Sequence, residues 1–172
     1  MRLAIQAATA VSLLFACIVQ SGDVLAAAAP PAGAVPMTPD QLLEMYSGKT
    51  QAWPDGAGGW FFAKDRRLSG YASKPPGSYA VGKWYITDSG KVCVRVKWVW
   101  AKGKNGHGPF ETTCWAHQKV GSQIWKENPK KKNWYEWNAS GGESSTFITG
   151  YKFFDQVAAL HAKYGSKPHA RR

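Results

Sequence analysis

Side chains that could act as acids, bases or nucleophiles are scattered through this sequence rather than grouped. The carboxylates lie mostly in predicted turns or beside basic residues, and no two have a spacing that sets a general acid against a base; they include Asp55, Asp65, Asp88, Glu111, Glu127 and Glu136. His117 could serve as a general base, whereas His107 lies in a glycine-rich loop. No serine or cysteine nucleophile is placed beside His117 by the pattern, so we expect a non-catalytic protein, with a His117-dependent hydrolase as the alternative.

Metal and cofactor sites are not predicted. The four histidines have no metal-ligand spacing. A glycine-rich loop at Asp55–Gly59 lacks the Gly-Lys-Ser/Thr ending of a phosphate-binding loop and leads into Trp60-Phe61-Phe62, so we interpret it as a turn.

The first 26 residues have the features of a secretory signal. Arg2 precedes an apolar stretch from Leu3 to Val19, and Val24-Leu25-Ala26 provides the small residues of a cleavage site. Cleavage after Ala26 predicts a periplasmic or secreted protein with no transmembrane segment in the mature chain. The alternative is a lipoprotein acylated at Cys17, because Leu14-Phe15-Ala16-Cys17 resembles a lipobox.

Cysteine usage agrees with export. Of three cysteines, Cys17 leaves with the leader, and Cys93 and Cys114 remain as a pair in an oxidising compartment. A disulfide between them is the expected state. A reactive or metal-binding pair is the alternative, but there is no Cys-x-x-Cys spacing to support it.

The segment from Gly77 to His117 predicts two successive hairpins and hence three antiparallel strands. In the middle strand Val92, Val94, Val96, Trp98 and Trp100 share one face by alternation, and Cys93, Arg95 and Lys97 share the other. Both faces of the preceding strand carry apolar residues, which indicates either a covering helix or a ligand surface. Tyr79 and Tyr85 lie on one face of this strand, and Trp84 lies on the other.

The whole chain is predicted to be a mainly β protein of seven or eight short strands, forming a small antiparallel meander or barrel. A short N-terminal helix begins at the Thr38 cap, and a C-terminal helix with apolar residues from Phe153 to Tyr164 ends at Gly165. The expected organisation is a signal peptide at 1–26, a flexible linker at 27–37, one β-rich domain at 38–165 and a basic tail at 166–172.

Charge suggests the class of partner. Lys and Arg number 22 against 11 Asp and Glu, a net charge of +11, which attracts polyanions. Aromatic and basic residues interleave near the C-terminal end of the sheet and form a candidate ligand surface, namely Trp125, Lys126, Lys130, Lys131, Lys132, Trp134 and Trp137. Core packing beside a solvated lysine turn is the alternative interpretation of these residues.

For an exported protein we expect the partner to be an anionic envelope glycan or lipid, or an envelope protein, and not nucleic acid. The alternative function is an interaction or inhibitor protein that uses the hairpin loop Lys102–Pro109 against an extracytoplasmic enzyme.

A family resemblance supports the β-domain prediction. Trp60-Phe61-Phe62 after a glycine-rich loop, Tyr79 to Trp84, Gly90-Lys91-Val92-Cys93 and Cys114-Trp115-Ala116-His117 are similar to an exported proteobacterial family, domain of unknown function 995 (DUF995). The similarity covers about residues 38–138. It implies a small secreted or periplasmic β domain and brings no catalytic residues. The predicted meander or barrel is lipocalin-like or calycin-like in outline. Gly82-x-Trp84 also resembles the lipocalin motif, but in lipocalins that motif opens the first strand, and here it lies in mid-chain.

Overall fold

A computed structural model describes residues 27, 29–74, 76–101 and 106–165. The predicted signal peptide, Cys17, the basic tail and part of the Lys102–Pro109 loop lie outside these residues. The described part has two helices, α1 (Pro39–Tyr46) and α2 (Phe154–Tyr164), and ten strands. The strands are β1 (Val35–Pro36), β2 (Lys49–Ala52), β3 (Gly58–Phe62), β4 (Arg67–Ala72), β5 (Ser78–Thr87), β6 (Lys91–Trp100), β7 (Glu111–Val120), β8 (Gln123–Asn128), β9 (Asn133–Glu136) and β10 (Phe147–Thr149).

The strands form one antiparallel sheet in the order β10-β2-β3-β4-β5-β6-β7-β8-β9, with β1 added to β7. Strands β2 to β9 therefore follow one another as a meander, and the sheet curls into a half-barrel. This confirms the predicted fold class, with ten strands in the described residues where the sequence predicts seven or eight. The two edges, β9 and β10, face each other across what we call the seam. Trp137 and Phe147 meet there, with ring centroids 5.4 Å apart.

The β5–β6–β7 unit is the centre of the sheet, as predicted. Gly90 makes the tight β5–β6 turn with a φ of +76°, a conformation that glycine adopts without a steric penalty. Cys93 lies directly opposite Cys114 in the ladder, and the two form a disulfide with Cα atoms 4.0 Å apart. The predicted disulfide is therefore present.

The core lies on the inner face of the curled sheet and is closed at one end by α1. Thr38 caps this helix by the predicted capping box: its hydroxyl accepts from the Gln41 backbone, and the Gln41 side chain accepts from the Thr38 N–H. Leu42 and Tyr46 of α1 are fully buried, and the Tyr46 ring packs edge-on against Phe62 at 4.9 Å. Tyr46 therefore links the helix to the strands that position the site.

The outer face is partly covered by α2, which packs on β4 and β5. Tyr79 of β5 is buried against His161 of this helix, with centroids 5.5 Å apart. A covering helix therefore accounts for this end of β5, one of the two alternatives that the sequence left open. No helix in the described ranges is long and apolar enough to cross a membrane.

The segment predicted as a flexible linker contacts the sheet at two points. Ala27 exchanges two backbone hydrogen bonds with Trp134, of 2.8 and 2.6 Å, and Val35–Pro36 pairs with Gln118 and Lys119 of β7. Backbone groups that pair with strands are held in place, so Ala27, Val35 and Pro36 lie against the edge of the sheet.

Candidate functional site

Four polar side chains meet where the curled sheet closes. Gln51 of β2, Lys126 of β8 and Tyr135 of β9 occupy inner-face positions, and Glu143 comes from the 3₁₀ turn Glu143–Thr146 that crosses the seam. Gln51 Nε2 and Lys126 Nζ each donate to Glu143 Oε1 at 2.5 Å. The Tyr135 hydroxyl donates to Glu143 Oε2. One carboxylate thus joins three strands from the two ends of the sheet, and we call these four residues the seam cluster.

The seam cluster is shielded from water. The Lys126 side chain is 4% exposed and that of Glu143 is 16% exposed. Burial lowers the pKa of Lys126, and the Glu143 carboxylate opposes that effect. Burial, together with the charge of Glu143, raises the pKa of Tyr135. Tyr135 therefore keeps its proton at neutral pH and acts as a hydrogen-bond donor.

Two tryptophans form the walls beside this cluster. Trp115 of β7 lies with its ring centroid 5.0 Å from Lys126 Nζ, within cation–π distance. Trp60 of β3 packs on Gly70, where an added Cβ would lie 2.6 Å from the indole ring. Trp60 also contacts Trp98, with centroids 5.1 Å apart. Gly70 thus leaves the space that lets Trp60 lie along the inner face.

These residues surround an open cavity of about 620 Å³, which we call the interior cleft. Its volume lies in the range of small-molecule sites. Its lining combines indole rings, the seam cluster and the hydroxyls of the 3₁₀ turn, and comprises Gln51, Ala52, Pro54, Trp60, Trp115, Lys126, Tyr135, Gly141, Gly142, Glu143, Ser145 and Thr146.

His117 is fully buried, at the position on β7 paired with Lys126. Its Nε2 shares a hydrogen bond of 2.8 Å with the Tyr46 hydroxyl, and within the described residues Nδ1 has no partner. Burial and the charge of Lys126 lower the pKa of His117 to about 3. Such an imidazole is a weak base at neutral pH. Among the described residues, the hydrogen-bond partner of His117 is therefore a phenol, the Tyr46 hydroxyl.

The structure divides the predicted ligand surface among four places. Lys126 is in the seam cluster, and Trp137 is 7% exposed and belongs to the core. Trp125 and Trp134 lie on the opposite face of β8 and β9, both half-buried, and Lys130, Lys131 and Lys132 are exposed in the β8–β9 turn. The seven residues therefore do not form one exposed surface: the alternation of the two short strands sends Lys126 and Trp137 inward.

Sequence reasoning missed most of the interior cleft. The sequence patterns place Trp60 and Trp115 on strands but assign them to no site, and they single out neither Gln51 nor Glu143. The available signal was the inner-face pattern: Trp115 pairs with Val92, and Lys126 follows two positions after Ile124 on β8. Glu143 has no such signal, because it lies in a loop rich in glycine and serine. In the described part of the chain no group of three or more His, Cys, Asp or Glu residues could hold a metal ion.

Comparison with known proteins identifies a family without assigning an activity. A family model described as "Protein of unknown function (DUF995)" matches residues 12–151, which include the whole seam cluster. No curated protein and no solved structure gives a significant match. Because the family model spans most of the sequence, the chain belongs to the DUF995 family.

Proposed function

We propose that this protein is an exported, non-catalytic module of the cell envelope that binds an anionic glycan in the interior cleft. The observation that carries the proposal is the composition of the cleft, in which two indole rings stand beside a set of hydrogen-bonding groups. A cavity of about 620 Å³ with apolar walls and a few oriented polar groups is typical of a binding site.

A sugar fits this lining better than a wholly apolar ligand. Flat aromatic faces such as those of Trp60 and Trp115 contact the C–H faces of sugar rings. Gln51, Ser145 and Thr146 already donate hydrogen bonds within the protein, and their oxygens can still accept from sugar hydroxyl groups. Lys126 and Glu143 compensate each other's charge inside the cleft. The net charge of +11 would therefore act at longer range, raising the local concentration of an acidic glycan.

The chemistry of the cleft favours binding over glycoside hydrolysis. Most glycosidases use two carboxyl groups, one on each side of the scissile bond. The lining contains one carboxylate, Glu143, and three hydrogen bonds from protein groups already occupy it. A carboxylate so engaged orients its neighbours and is poorly placed to transfer a proton.

Export is supported by the predicted signal and by the Cys93–Cys114 disulfide, since such bonds persist in oxidising compartments. Mass spectrometry of the natural protein tests this part of the proposal. Cleavage after Ala26 with both cysteines oxidised is expected. An intact N-terminus with two free thiols would rule out the export step.

Binding can be tested with the purified natural protein and two probes. The anionic probe is the disaccharide–tetrapeptide released from peptidoglycan, and the neutral probe is chitotetraose. Tryptophan fluorescence and calorimetry should detect the anionic probe, because two tryptophans line the cleft. Equal affinity for chitotetraose would remove the anionic part of the proposal, and no binding of either probe would refute glycan binding.

Two variants distinguish the cleft from the outer tryptophan surface. Trp60→Leu should weaken binding about fivefold, since one aromatic contact contributes about 1 kcal/mol. Trp134→Leu, on the opposite face of the sheet, should bind like the wild type. The reverse pattern would move the ligand to the surface that the sequence suggests. Near-ultraviolet circular dichroism confirms that both variants are folded.

The alternative function, inhibition of an extracytoplasmic enzyme, is favoured by the exposure of His107 and Pro109 at the end of a disulfide-linked hairpin. A protein with residues 102–109 replaced by a short Gly-Ser turn should then lose both capture and inhibition of a periplasmic hydrolase. Equal inhibition by the two proteins would exclude the loop as the inhibitory element.

A further inference from the structure

Three cations line up across the outer face of the sheet. Arg67 of β4 is paired with Lys83 of β5, and Lys83 is paired in turn with Arg95 of β6. Like charges directly opposite each other destabilise a sheet. Asp65 contacts Arg67 at 2.7 Å, but among the residues that the structure describes Lys83 and Arg95 have no ion pair. The fold therefore accepts a repulsion at Lys83 and Arg95 that an external anion would relieve.

Two exposed aromatic rings flank these cations. Phe110 is 47% exposed and Tyr85 is 43% exposed. The Arg95 guanidinium lies 4.7 Å from the Phe110 ring centroid, and Lys97 Nζ lies 5.5 Å from it. These cation–π contacts hold the basic groups beside an apolar surface. We call the six residues Arg67, Lys83, Tyr85, Arg95, Lys97 and Phe110 the outer basic face.

A mainly apolar groove of about 370 Å³ runs between the two rings, with Val81 and Gly82 as its floor. Helix α2 covers the adjacent part of β5, where Val81 also contacts a second hollow lined by residues of the helix, among them Val157 and His161. On the other side of Val81, no element within the described ranges lies in the groove. The face is thus half covered by the protein and half open.

We propose that the outer basic face docks on an anionic lipid surface. Lys83, Arg95 and Lys97 would meet the phosphate headgroups, while Tyr85 and Phe110 would enter the interfacial layer with the groove open to an acyl chain. Basic residues beside exposed aromatics are the usual components of such interfacial contacts. A polyanion without an apolar part would satisfy the cations but leave both rings and the groove in water, so charge and apolar character together favour lipid.

Vesicle co-sedimentation with the natural protein tests the proposal. Vesicles of phosphatidylcholine with 30% phosphatidylglycerol should bind the protein, and pure phosphatidylcholine vesicles should not. Each basic residue near an anionic leaflet contributes about fivefold in affinity. The variant Lys83→Gln/Arg95→Gln should therefore bind about 25-fold more weakly. The matched control Lys74→Gln/Lys152→Gln removes the same charge from two exposed positions elsewhere and should bind like the wild type.

Two further variants separate lipid docking from simple charge attraction. Tyr85→Ser/Phe110→Ser leaves the charge unchanged and should lose at least about tenfold in vesicle affinity, because both rings leave the interface. Trp60→Leu, inside the cleft, should bind vesicles normally. Equal losses of vesicle affinity in Lys83→Gln/Arg95→Gln and in its control Lys74→Gln/Lys152→Gln would overturn the proposal. Full binding by Tyr85→Ser/Phe110→Ser would overturn it as well. Binding of dextran sulfate but not of anionic vesicles would also overturn it.

Discussion

Replacing Glu143 by alanine tests how the half-barrel is closed. The carboxylate accepts hydrogen bonds from Gln51, Lys126 and Tyr135, and the change removes all three acceptor contacts at once. Lys126, whose side chain is 4% exposed, would be left as a buried ammonium group with no carboxylate beside it. The free-energy cost of burying the Lys126 charge, which the attraction to Glu143 now offsets, would then be uncompensated.

The expected loss is large relative to the stability of a small domain. Removing one partner of a buried ion pair costs about 3–5 kcal/mol, because the other charge is left uncompensated. Tyr135 and Gln51 would also lose their hydrogen-bond acceptor and add to this loss, although the effects of residues in contact are not additive. A typical domain has about 5–15 kcal/mol in total. We therefore expect Glu143→Ala to lose about 3–5 kcal/mol and remain marginally folded.

Urea unfolding followed by tryptophan fluorescence measures this loss. The control Asp65→Ala breaks the Arg67 ion pair, whose side chains are 53% and 78% exposed, and should cost less than about 1 kcal/mol. The double variant Glu143→Ala/Lys126→Met should recover most of the loss, since an apolar side chain of similar length has no charge to compensate. A loss below about 1 kcal/mol, or a double variant no more stable than Glu143→Ala, would refute the role assigned to the cluster.

The same variant should have a distinctive pH dependence. The pKa of Lys126 in the folded protein lies below the ordinary lysine value of 10.5, so between the two values the unfolded chain holds a proton that the folded chain has released. Stability therefore rises with pH across that window. Without Glu143 the pKa of Lys126 in the folded protein falls further, so the pH range over which stability rises begins at a lower pH. The difference in stability between Glu143→Ala and wild type should accordingly shrink as the pH rises toward the ordinary pKa of lysine, and a constant difference would contradict this account.

Three more predictions concern other parts of the fold. Cys93→Ala/Cys114→Ala opens a covalent loop with a sequence separation of 21 and should lower the free energy of unfolding by about 3 kcal/mol; an unchanged urea midpoint after reduction of the wild type would argue against this. His117 has a folded pKa of about 3 against 6.5 when unfolded, so stability should fall below pH 6.5 by at most about 1.4 kcal/mol per pH unit. Imidazole NMR checks this directly, and a titration of His117 near pH 6.5 would contradict it. Thr38→Ala removes the α1 cap and should cost about 1 kcal/mol in thermal unfolding, whereas Thr38→Ser should retain most of it.

Local patterns in the sequence predicted the elements well. The capping box at Thr38 and the β5–β6–β7 hairpins involve residues close in the chain, and each has a chemical signal of its own. The disulfide follows from the same hairpin register once Cys93 and Cys114 are assigned to neighbouring strands. These features needed no knowledge of the rest of the molecule.

The face of a strand was harder to predict where both faces carry apolar residues. On β8 Ile124 and Trp125 point to opposite sides, so alternation does not reveal which side is interior. The sequence grouped Lys126 with nearby tryptophans as a surface, whereas pairing with His117 and Tyr135 puts it inside. Register against the neighbouring strands supplied the missing information.

The sequence by itself determined the strand-rich architecture, the α1 cap, the cysteine pair and the basic charge, because each depends on residue type or on neighbours in the chain. Only the tertiary structure decided that Glu143 meets Gln51, 92 residues away, and that Arg67, Lys83 and Arg95 form one row. Both arrangements arise when a long meander curls and its strands settle into register. Curling brings distant chain segments together, and no short stretch of sequence records which polar groups will face one another across the closed seam.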